Sequence, residues 1–157
     1  MVGALPMDAD RRILDLHAYR EKIRPSESSL PGRQHFDPVD IPRLLPFLSL
    51  VDVYRDPVRF RYRLSGTEIV RAMGADHNGR FLDEIHVNFS ATPTSKQYME
   101  VLATGQSAFR EGRPTLRREE DHRWMQRLLL PFARDGKTVD MVLGMGIYFE
   151  LPKELRN

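Results

Sequence analysis

Two apolar stretches near the carboxyl end of the chain decide its fold, Trp124-Met-Gln-Arg-Leu-Leu-Leu-Pro-Phe132 and Val139-Asp-Met-Val-Leu-Gly-Met-Gly-Ile-Tyr-Phe149. We interpret them as β-strands over about residues 122–132 and 138–149. A sheet that is wetted on one face shows alternating apolar and polar residues along its strands. These two strands are apolar on both alternating faces for much of their length, so we expect both faces of the sheet to be covered.

The rest of the chain is predicted to supply three more strands and a group of helices. The strands fall at residues 47–54, 58–64 and 106–113. The helices fall at residues 37–46, 65–74, 82–85 and 92–105. Most of the helices come between the second and third strands. This order predicts an α+β fold, a five-stranded antiparallel sheet with helices grouped between strands two and three.

The amino-terminal segment is predicted to form an amphipathic helix from its cap, Asp8, to about Arg24, where Pro25 stops it. A helix of this length is not stable alone, so its apolar face must pack on something. That face either folds back on the protein's own sheet or joins a second copy of the chain, and both alternatives stay open. The candidate dimerisation residues on it are Ile13, Leu16, Tyr19 and Ile23.

One internal boundary is suggested by a turn-rich linker at residues 25–35. It divides the chain into an amino-terminal helix and linker at residues 1–29, a folded domain at residues 30–150 and a tail at residues 151–157. A chain of 157 residues otherwise fits one domain.

The composition limits the classes of function. Lys and Arg total 24 against 22 Asp and Glu, so the net charge of +2 gives no bulk attraction to nucleic acid or to an anionic membrane. Cysteine is absent, which removes disulfides and thiolate metal sites. No stretch reaches the roughly 20 apolar residues that cross a bilayer, and the amino terminus lacks the pattern of a secretory signal. We therefore expect a cytoplasmic protein that binds neither nucleic acid nor membrane.

Several spaced motifs resemble one family of proteins. They are Leu30-Pro31-Gly32-Arg33, Asp37-Pro38, Phe60-Arg61-Tyr62-Arg63-Leu64-Ser65-Gly66-Thr67, Asn78-Gly79-Arg80, Leu129-Leu130-Pro131 and Leu143-Gly144. Over about residues 30–149 the chain resembles the PAS-domain superfamily, in particular a family of short stand-alone bacterial PAS-like proteins of unknown function. The resemblance implies the spatial strand order 2-1-5-4-3 and a sensory role in signal transduction. Related domains usually act on an attached module, whereas here we expect the output to pass through a partner signalling protein or a homodimer.

The resemblance raises two cofactors, and we expect neither. Residues 78–82 are similar to the Asn-Cys-Arg-Phe-Leu stretch of blue-light-sensing flavin relatives, but Gly79 stands where the reactive thiol is needed. Some PAS relatives bind haem through a histidine near the central helices, where this chain has His77 and His86. Neither histidine lies in a spaced cluster of other ligand types, so we predict no haem and no metal site.

Two charged motifs have competing interpretations. Arg59, Arg61 and Arg63 line one side of the second strand in strict alternation with apolar side chains at 60, 62 and 64. They solubilise an exposed strand, pair with a carboxylate or an anionic ligand, or form a basic-aromatic platform for single-stranded nucleic acid. The small net charge argues against the platform. The run Glu-Glu-Asp-His at residues 119–122 is either a solvated loop or an acid–base group.

The candidate binding site is the space between the sheet and the middle helices. Its candidate ligand-binding residues are adaptable or aromatic side chains, with Arg63 added from the family motif: Arg63, Met73, Phe89, Tyr98, Leu102, Met125 and Met141. Each of them also fits plain core filling. We predict no catalytic residues and a PAS-like sensory module that binds a small apolar or amphipathic ligand. The alternatives are a small α+β enzyme that uses Arg63, His86 or His122 in that cavity, and a ligand-free structural adaptor.

Overall fold

The computed structural model describes residues 5–115 and 122–156. The strands are β1 (Leu48–Tyr54), β2 (Arg59–Ser65), β3 (Ala108–Gly112), β4 (Arg123–Phe132) and β5 (Met141–Glu150). The α-helices are α1 (Arg11–Lys22), α2 (Thr67–Met73), α3 (Leu82–Ile85) and α4 (Pro93–Thr104). The strands form one antiparallel sheet in the spatial order β2-β1-β5-β4-β3, and α2 to α4 lie between β2 and β3. The predicted fold class and strand order are therefore confirmed.

Local hydrogen bonds set where the two longest helices begin. The Oδ1 atom of Asp10 accepts the Arg12 amide at 3.0 Å and caps α1, so the cap predicted at Asp8 is wrong by two residues. The Oγ1 atom of Thr92 accepts the Ser95 amide at 3.1 Å and caps α4, as predicted. Pro at the first position of α4 fits because the amide that it lacks would have no partner inside the helix.

Residues 33–47 form three short 3-10 turns, Arg33–His35, Pro38–Asp40 and Leu45–Phe47. The short helix predicted over residues 37–46 begins as expected, with Asp37 as cap and Pro38 at the first position, but it does not continue beyond one 3-10 turn. Proline removes an amide donor and collides with the preceding turn, so the two further prolines of this segment, Pro42 and Pro46, prevent a continuous helix. The result is a stiff, proline-rich strap that leads into β1.

Both faces of the sheet are covered, as the two-sided apolar pattern predicted. The first core lies under α1 and the 33–47 segment, and includes Ile13, Leu16, Leu50, Leu128, Leu130 and Leu143. The second core lies under α3 and α4, and includes Val51, Phe60, Leu82, Val101, Leu129 and Val142. Each fully buried aliphatic side chain stabilises the fold by about 1.5–3 kcal/mol. The sheet is thus the shared wall of two apolar layers.

α1 folds back on the protein's own sheet. Ile13 and Leu16 are 0% exposed, and Tyr19 and Ile23 pack partly buried against the same core. The Nη2 atom of Arg20 donates to the Pro131 carbonyl at 3.2 Å and ties the helix to β4. Of the two alternatives for this helix, the structure shows the intramolecular one. The apolar face on which the dimerisation prediction rests is occupied within one protomer.

A β-bulge interrupts the pairing of β2 with β1. Leu50 pairs with Leu64 and its neighbour Val51 pairs with Tyr62, so Arg63 is the additional residue. The strict alternation predicted for this strand is therefore wrong beyond residue 62. Tyr62 belongs to the second core, whereas Leu64 turns to the opposite side of the sheet and is 54% exposed.

Candidate functional site

A small cavity of about 40 Å³ lies between the sheet and the helices α2 and α4. A water molecule occupies about 30 Å³ of liquid, so these walls leave room for a water or a comparably small ion. The polar side chains at the cavity are Ser49, Tyr62, His86, Thr94, Tyr98, Thr115, Arg127 and Tyr148. Among the lining residues that the structure describes, none carries a carboxylate.

Regular structure brings these groups together from distant parts of the sequence. Thr94 and Tyr98 lie one turn apart on α4 and so share one helix face. Met125 and Arg127 lie two residues apart on β4 and so share the helix-facing side of the sheet. Gly146 of β5 leaves space beside them, because a Cβ there would lie only 3.2–3.3 Å from two neighbouring side chains.

Neutral groups of α4 hold the guanidinium of Arg127. Its Nε donates to Gln97 Oε1 at 2.7 Å, and its Nη2 donates to Thr94 Oγ1 at 3.1 Å. The amide nitrogen of Gln97 in turn donates to the carbonyls of Ala108 and Arg127, at 2.9 and 3.2 Å. These bonds fix the orientation of the arginine but leave its positive charge without a carboxylate partner in the described part of the chain.

A second arginine stands directly opposite. Arg110 of β3 pairs in register with Arg127, which places two like charges side by side on the helix-facing side of the sheet. Burial and the charge of Arg127 lower the pKa of Arg110. Arg110 Nη2 donates to the Arg113 carbonyl at 3.0 Å, but its Nη1 is buried with no hydrogen-bond partner in residues 5–115 and 122–156. No carboxylate of the described residues pairs with either guanidinium, and arginine is a frequent partner of anions because its charge-assisted hydrogen bonds are strong.

Two buried phenols face the same cavity. Tyr62 is 7% exposed and Tyr98 is 3% exposed. Burial raises the pKa of Tyr98 to about 12 and raises that of Tyr62 as well, so both stay neutral and keep their protons for donation. Both phenols line the cavity, and no hydrogen bond from either hydroxyl to another described residue was found. A phenol that faces a cavity is stabilised by a hydrogen bond to a ligand or a water there.

The imidazole of His86 completes the polar wall. His86 is 7% exposed, and its ring stacks on Phe89 with 5.7 Å between centroids. Burial, followed by the charge of Arg127, lowers the pKa of His86 to about 4. The side chain is therefore neutral at pH 7, with one nitrogen that donates and one that accepts. The cavity thus offers a cation, two phenolic donors and one amphoteric ring, a set that matches an oxygen-rich anion.

The candidate ligand-binding residues separate into three groups. Met73, Tyr98 and Met125 line the cavity. Phe89 and Leu102 pack partly buried against the second core beside it. The remaining two lie elsewhere: Met141 belongs to the first core, and Arg63 is 57% exposed in its side chain and pairs with Asp52 at 3.0 Å. The expected position of Met141 between sheet and helices is therefore wrong, because its strand parity points it to the α1 side.

The arginine stripe is engaged in contacts within the chain. Arg59 bonds both carboxylate oxygens of Asp83, at 2.7 and 2.8 Å, and its guanidinium lies 3.7 Å from the centre of the Phe81 ring. Arg61 Nε donates to the Gly79 carbonyl at 2.8 Å. With the Arg63 contact, the structure shows intramolecular pairing among the three interpretations of this stripe. The stripe lies apart from the cavity.

The flavin-like segment is a turn that is pinned to β2. The Gly79 amide donates to the Tyr62 carbonyl at 2.7 Å, and Gly79 has a φ of 84°, a left-handed conformation that glycine adopts without strain. Phe81 packs against the Tyr54 ring with 5.4 Å between centroids. Phe81 thus lies half-buried at the edge of the sheet, where it forms an isolated β-bridge with Arg61. Residues 119–121 of the acidic run lie outside the described residues.

Neither a metal cluster nor a membrane span was found in the described ranges. No three His, Asp or Glu side chains of residues 5–115 and 122–156 come close enough together to hold a metal ion. In those same ranges no helix has the length and apolar character to cross a bilayer.

The sequence analysis did not identify Arg110 and Arg127, the two arginines of this site. Arg127 stands inside the apolar stretch of β4, and a lone arginine among leucines is a signal for a buried polar contact. Arg110 gives no such signal, because β3 is short and its neighbours are mixed. The pairing of Arg110 with Arg127 depends on the register of β3 and β4, which the sequence alone does not specify.

One family model and several solved structures are similar to this chain. The family model described as PAS domain matches residues 9–147 of the chain. An RNA-binding light-oxygen-voltage receptor is similar over 94% of this chain, with a TM-score of 0.48 and 14% sequence identity, and this chain spans 36% of that receptor's length. A sensory box sensor histidine kinase from Vibrio cholerae is similar over 73% of this chain and 92% of its own, with a TM-score of 0.42 and 17% identity. The comparison with curated proteins gave no match.

Proposed function

Because the chain belongs to the PAS domain family, we propose that it is a sensory module that binds a small oxygen-rich anion in the cavity between its sheet and its helices. The observation that carries the proposal is Arg127, which neutral groups hold at the cavity beside the phenols of Tyr62 and Tyr98, with Arg110 opposite it on the neighbouring strand. Cation and donors converge there without a carboxylate among the described residues. A formate-like or nitrate-like anion supplies the missing acceptor atoms.

The size of the cavity limits which ligands can bind in it. The apolar or amphipathic ligand predicted from the sequence needs more room than about 40 Å³ and a less polar wall. A larger molecule enters only if Met73 or Met125 moves, which their unbranched side chains permit. An anion of three or four heavy atoms needs a much smaller rearrangement.

Signalling follows from the elements that meet at the site. Met73 is the last residue of α2, and Thr94 and Tyr98 belong to α4. An anion bound between them and Arg127 tightens both helices onto the sheet, so the outer surfaces of the helices report the occupancy of the cavity. We propose that a partner signalling protein or a second copy of the chain detects this change.

Thermal denaturation of the full chain with sodium formate or sodium nitrate tests the proposal. A bulky sulfonate at the same ionic strength is the control, because it exceeds the cavity. We expect formate or nitrate to raise Tm with saturation. The Tyr98→Phe variant should bind about tenfold more weakly or worse, because a hydrogen bond to a charged group contributes about 1.5–3 kcal/mol. Tyr54→Phe is the matched control, since Tyr54 is 41% exposed and remote from the cavity.

Native mass spectrometry of the freshly purified protein gives an independent readout, since a retained molecule shows its mass directly. Equal stabilisation by formate, nitrate and the sulfonate would contradict the proposal that a small anion binds in the cavity. So would equal affinities of the wild type and Tyr98→Phe.

A further inference from the structure

A second and larger cleft lies on the opposite side of the sheet. Its volume is about 380 Å³, and it opens to solvent between the 33–47 segment and the strands β1, β2 and β5. Apolar side chains form most of its wall, among them Phe36, Leu45, Leu48, Leu50, Leu64 and Leu143. Ligand pockets in proteins are usually apolar concavities of about 300–1,000 Å³. This cleft has the size and character of such a pocket.

The bulge in β2 and the proline-rich strap create the cleft. The additional residue Arg63 turns Leu64 toward this side of the sheet, where it stays 54% exposed. Pro38, Pro42 and Pro46 of the strap stand across from it and cannot close the gap with a helix. Leu64 faces these prolines across the cleft and leaves apolar surface in water. Covering this surface with an apolar group stabilises the protein.

The polar groups at the cleft are few and specific. Among the lining residues that the structure describes, Arg33 alone carries a charge. Its Nη1 donates to the Phe36 carbonyl at 2.9 Å, and its guanidinium lies 5.3 Å from the centre of the Phe36 ring, so the arginine is held at the rim. The hydroxyl of Ser65 also lines the cleft and is buried with no hydrogen-bond partner among the described residues. The remaining guanidinium donors of Arg33 stay available to an acceptor.

From this charge complementarity we propose that the cleft binds an amphipathic carboxylate, with its acyl chain along the leucines and its head group at Arg33. The cleft is about two and a half times as large as the 150 Å³ apolar cavity that accommodates benzene, so a chain of medium length fits. A guanidinium pairs with a carboxylate through two parallel hydrogen bonds, whereas it repels a cationic head group. The site lies across the sheet from the small polar cavity, and Ser49 lines both.

Titration of the full chain with decanoate, below the concentration at which decanoate forms micelles, tests the site. Methyl resonances of Leu64, Leu50 and Leu143 in carbon-13 spectra are the readout, because binding in the cleft shifts these three and not methyls of the second core. We expect saturable shifts with decanoate and none of comparable affinity with decyltrimethylammonium. Acetate, which has the head group alone, should bind at least a hundredfold more weakly.

Two variants separate the chain contact from the head-group contact. Arg33→Gln should weaken decanoate about tenfold and leave the affinity for decanol unchanged. Leu64→Gln should weaken both at least fivefold, and it should fold because Leu64 is exposed already. Val87→Gln is the matched control, since Val87 is 87% exposed outside the cleft, and its affinities should equal those of the wild type.

Three results would each overturn the assignment. They are methyl shifts that do not saturate, equal affinity for the cationic amphiphile, and methyl shifts that follow protein concentration without any ligand. The last result would assign the cleft to contact between copies of the chain. The outcome is distinguishable from the anion test, since formate and nitrate should bind Leu64→Gln as tightly as the wild type.

Discussion

Replacing Arg110 with methionine should stabilise the ligand-free protein while it weakens anion binding. Methionine keeps the apolar stem but removes the charge opposite Arg127. Relief of like charges that face each other across two strands contributes about 0.2–1 kcal/mol. Removal of the buried, unpartnered Nη1 contributes about 1–3 kcal/mol, and loss of the bond to the Arg113 carbonyl costs about 0.5–1.5 kcal/mol. The balance is about 1 kcal/mol in favour of the variant, which raises Tm by about 2–4 °C in a chain of this size.

Differential scanning calorimetry in a low-salt buffer without small oxyanions measures this difference. The gain should shrink as salt is added, because screening weakens the repulsion between the two arginines. Arg71→Met is the matched loss of a positive charge, since its side chain is 77% exposed, and its effect should stay within about 0.5 kcal/mol. With formate present, the wild type should gain more than the variant. A lower Tm for Arg110→Met in the anion-free buffer would refute the reasoning, because it would mean that Arg110 already has a neutralising partner.

Two further predictions follow from single buried side chains. The pKa of His86 is lowered from about 6.5 to about 4, so below pH 6.5 the unfolded chain binds a proton that the folded chain does not, and stability falls as the pH drops towards 4. Urea titrations at pH 7 and pH 4.5 should show a loss about 2–3 kcal/mol larger in the wild type than in His86→Phe, and equal losses would contradict the assignment. Leu16→Ala should lower the free energy of unfolding by about 2–5 kcal/mol in urea titrations and leave the mass from light scattering unchanged, while Leu155→Ala, at a site that is 61% exposed, changes stability by less than about 0.5 kcal/mol. A drop in mass with unchanged stability would show instead that α1 joins two copies.

The fold was predictable because it depends mainly on the apolar character of two strands. β4 and β5 are apolar on both sides, and a sheet with such strands in its interior must be sandwiched whatever the details of the helices. Where prediction failed, a local effect overrode the pattern. The prolines of residues 38–46 replaced a helix with 3-10 turns, and the bulge at Arg63 reversed the side of Leu64. A bulge leaves no mark in an alternating pattern, since it adds one residue without changing the composition.

The candidate site was predictable only in part, for the same physical reason that made the fold clear. In a strand that is apolar on both sides, odd and even positions look alike, so side-chain parity cannot be assigned from the sequence. Met125 and Met141 are equivalent in pattern, yet Met125 lines the polar cavity and Met141 belongs to the core under α1. The polar groups that define the cavity come together only through the register of β3 with β4 and through the packing of α4 on that pair.

The two cavities meet at one point of the sheet, and this bears on how a sensory module of this kind transmits a signal. Ser49 lines both the small polar cavity and the larger apolar cleft, and it pairs in register with Gly144. A Cβ on Gly144 would lie 2.9 Å from Ser49 Oγ, so the wall between the cavities is thin and tightly packed there. A ligand that displaces Ser49 from one side therefore changes the surface that a ligand meets on the other side. Close-packed interiors transmit such small displacements because they have no free volume in which to absorb them. The sheet is a common wall, with the strap of residues 33–47 packed on one side and the helix α4 packed on the other.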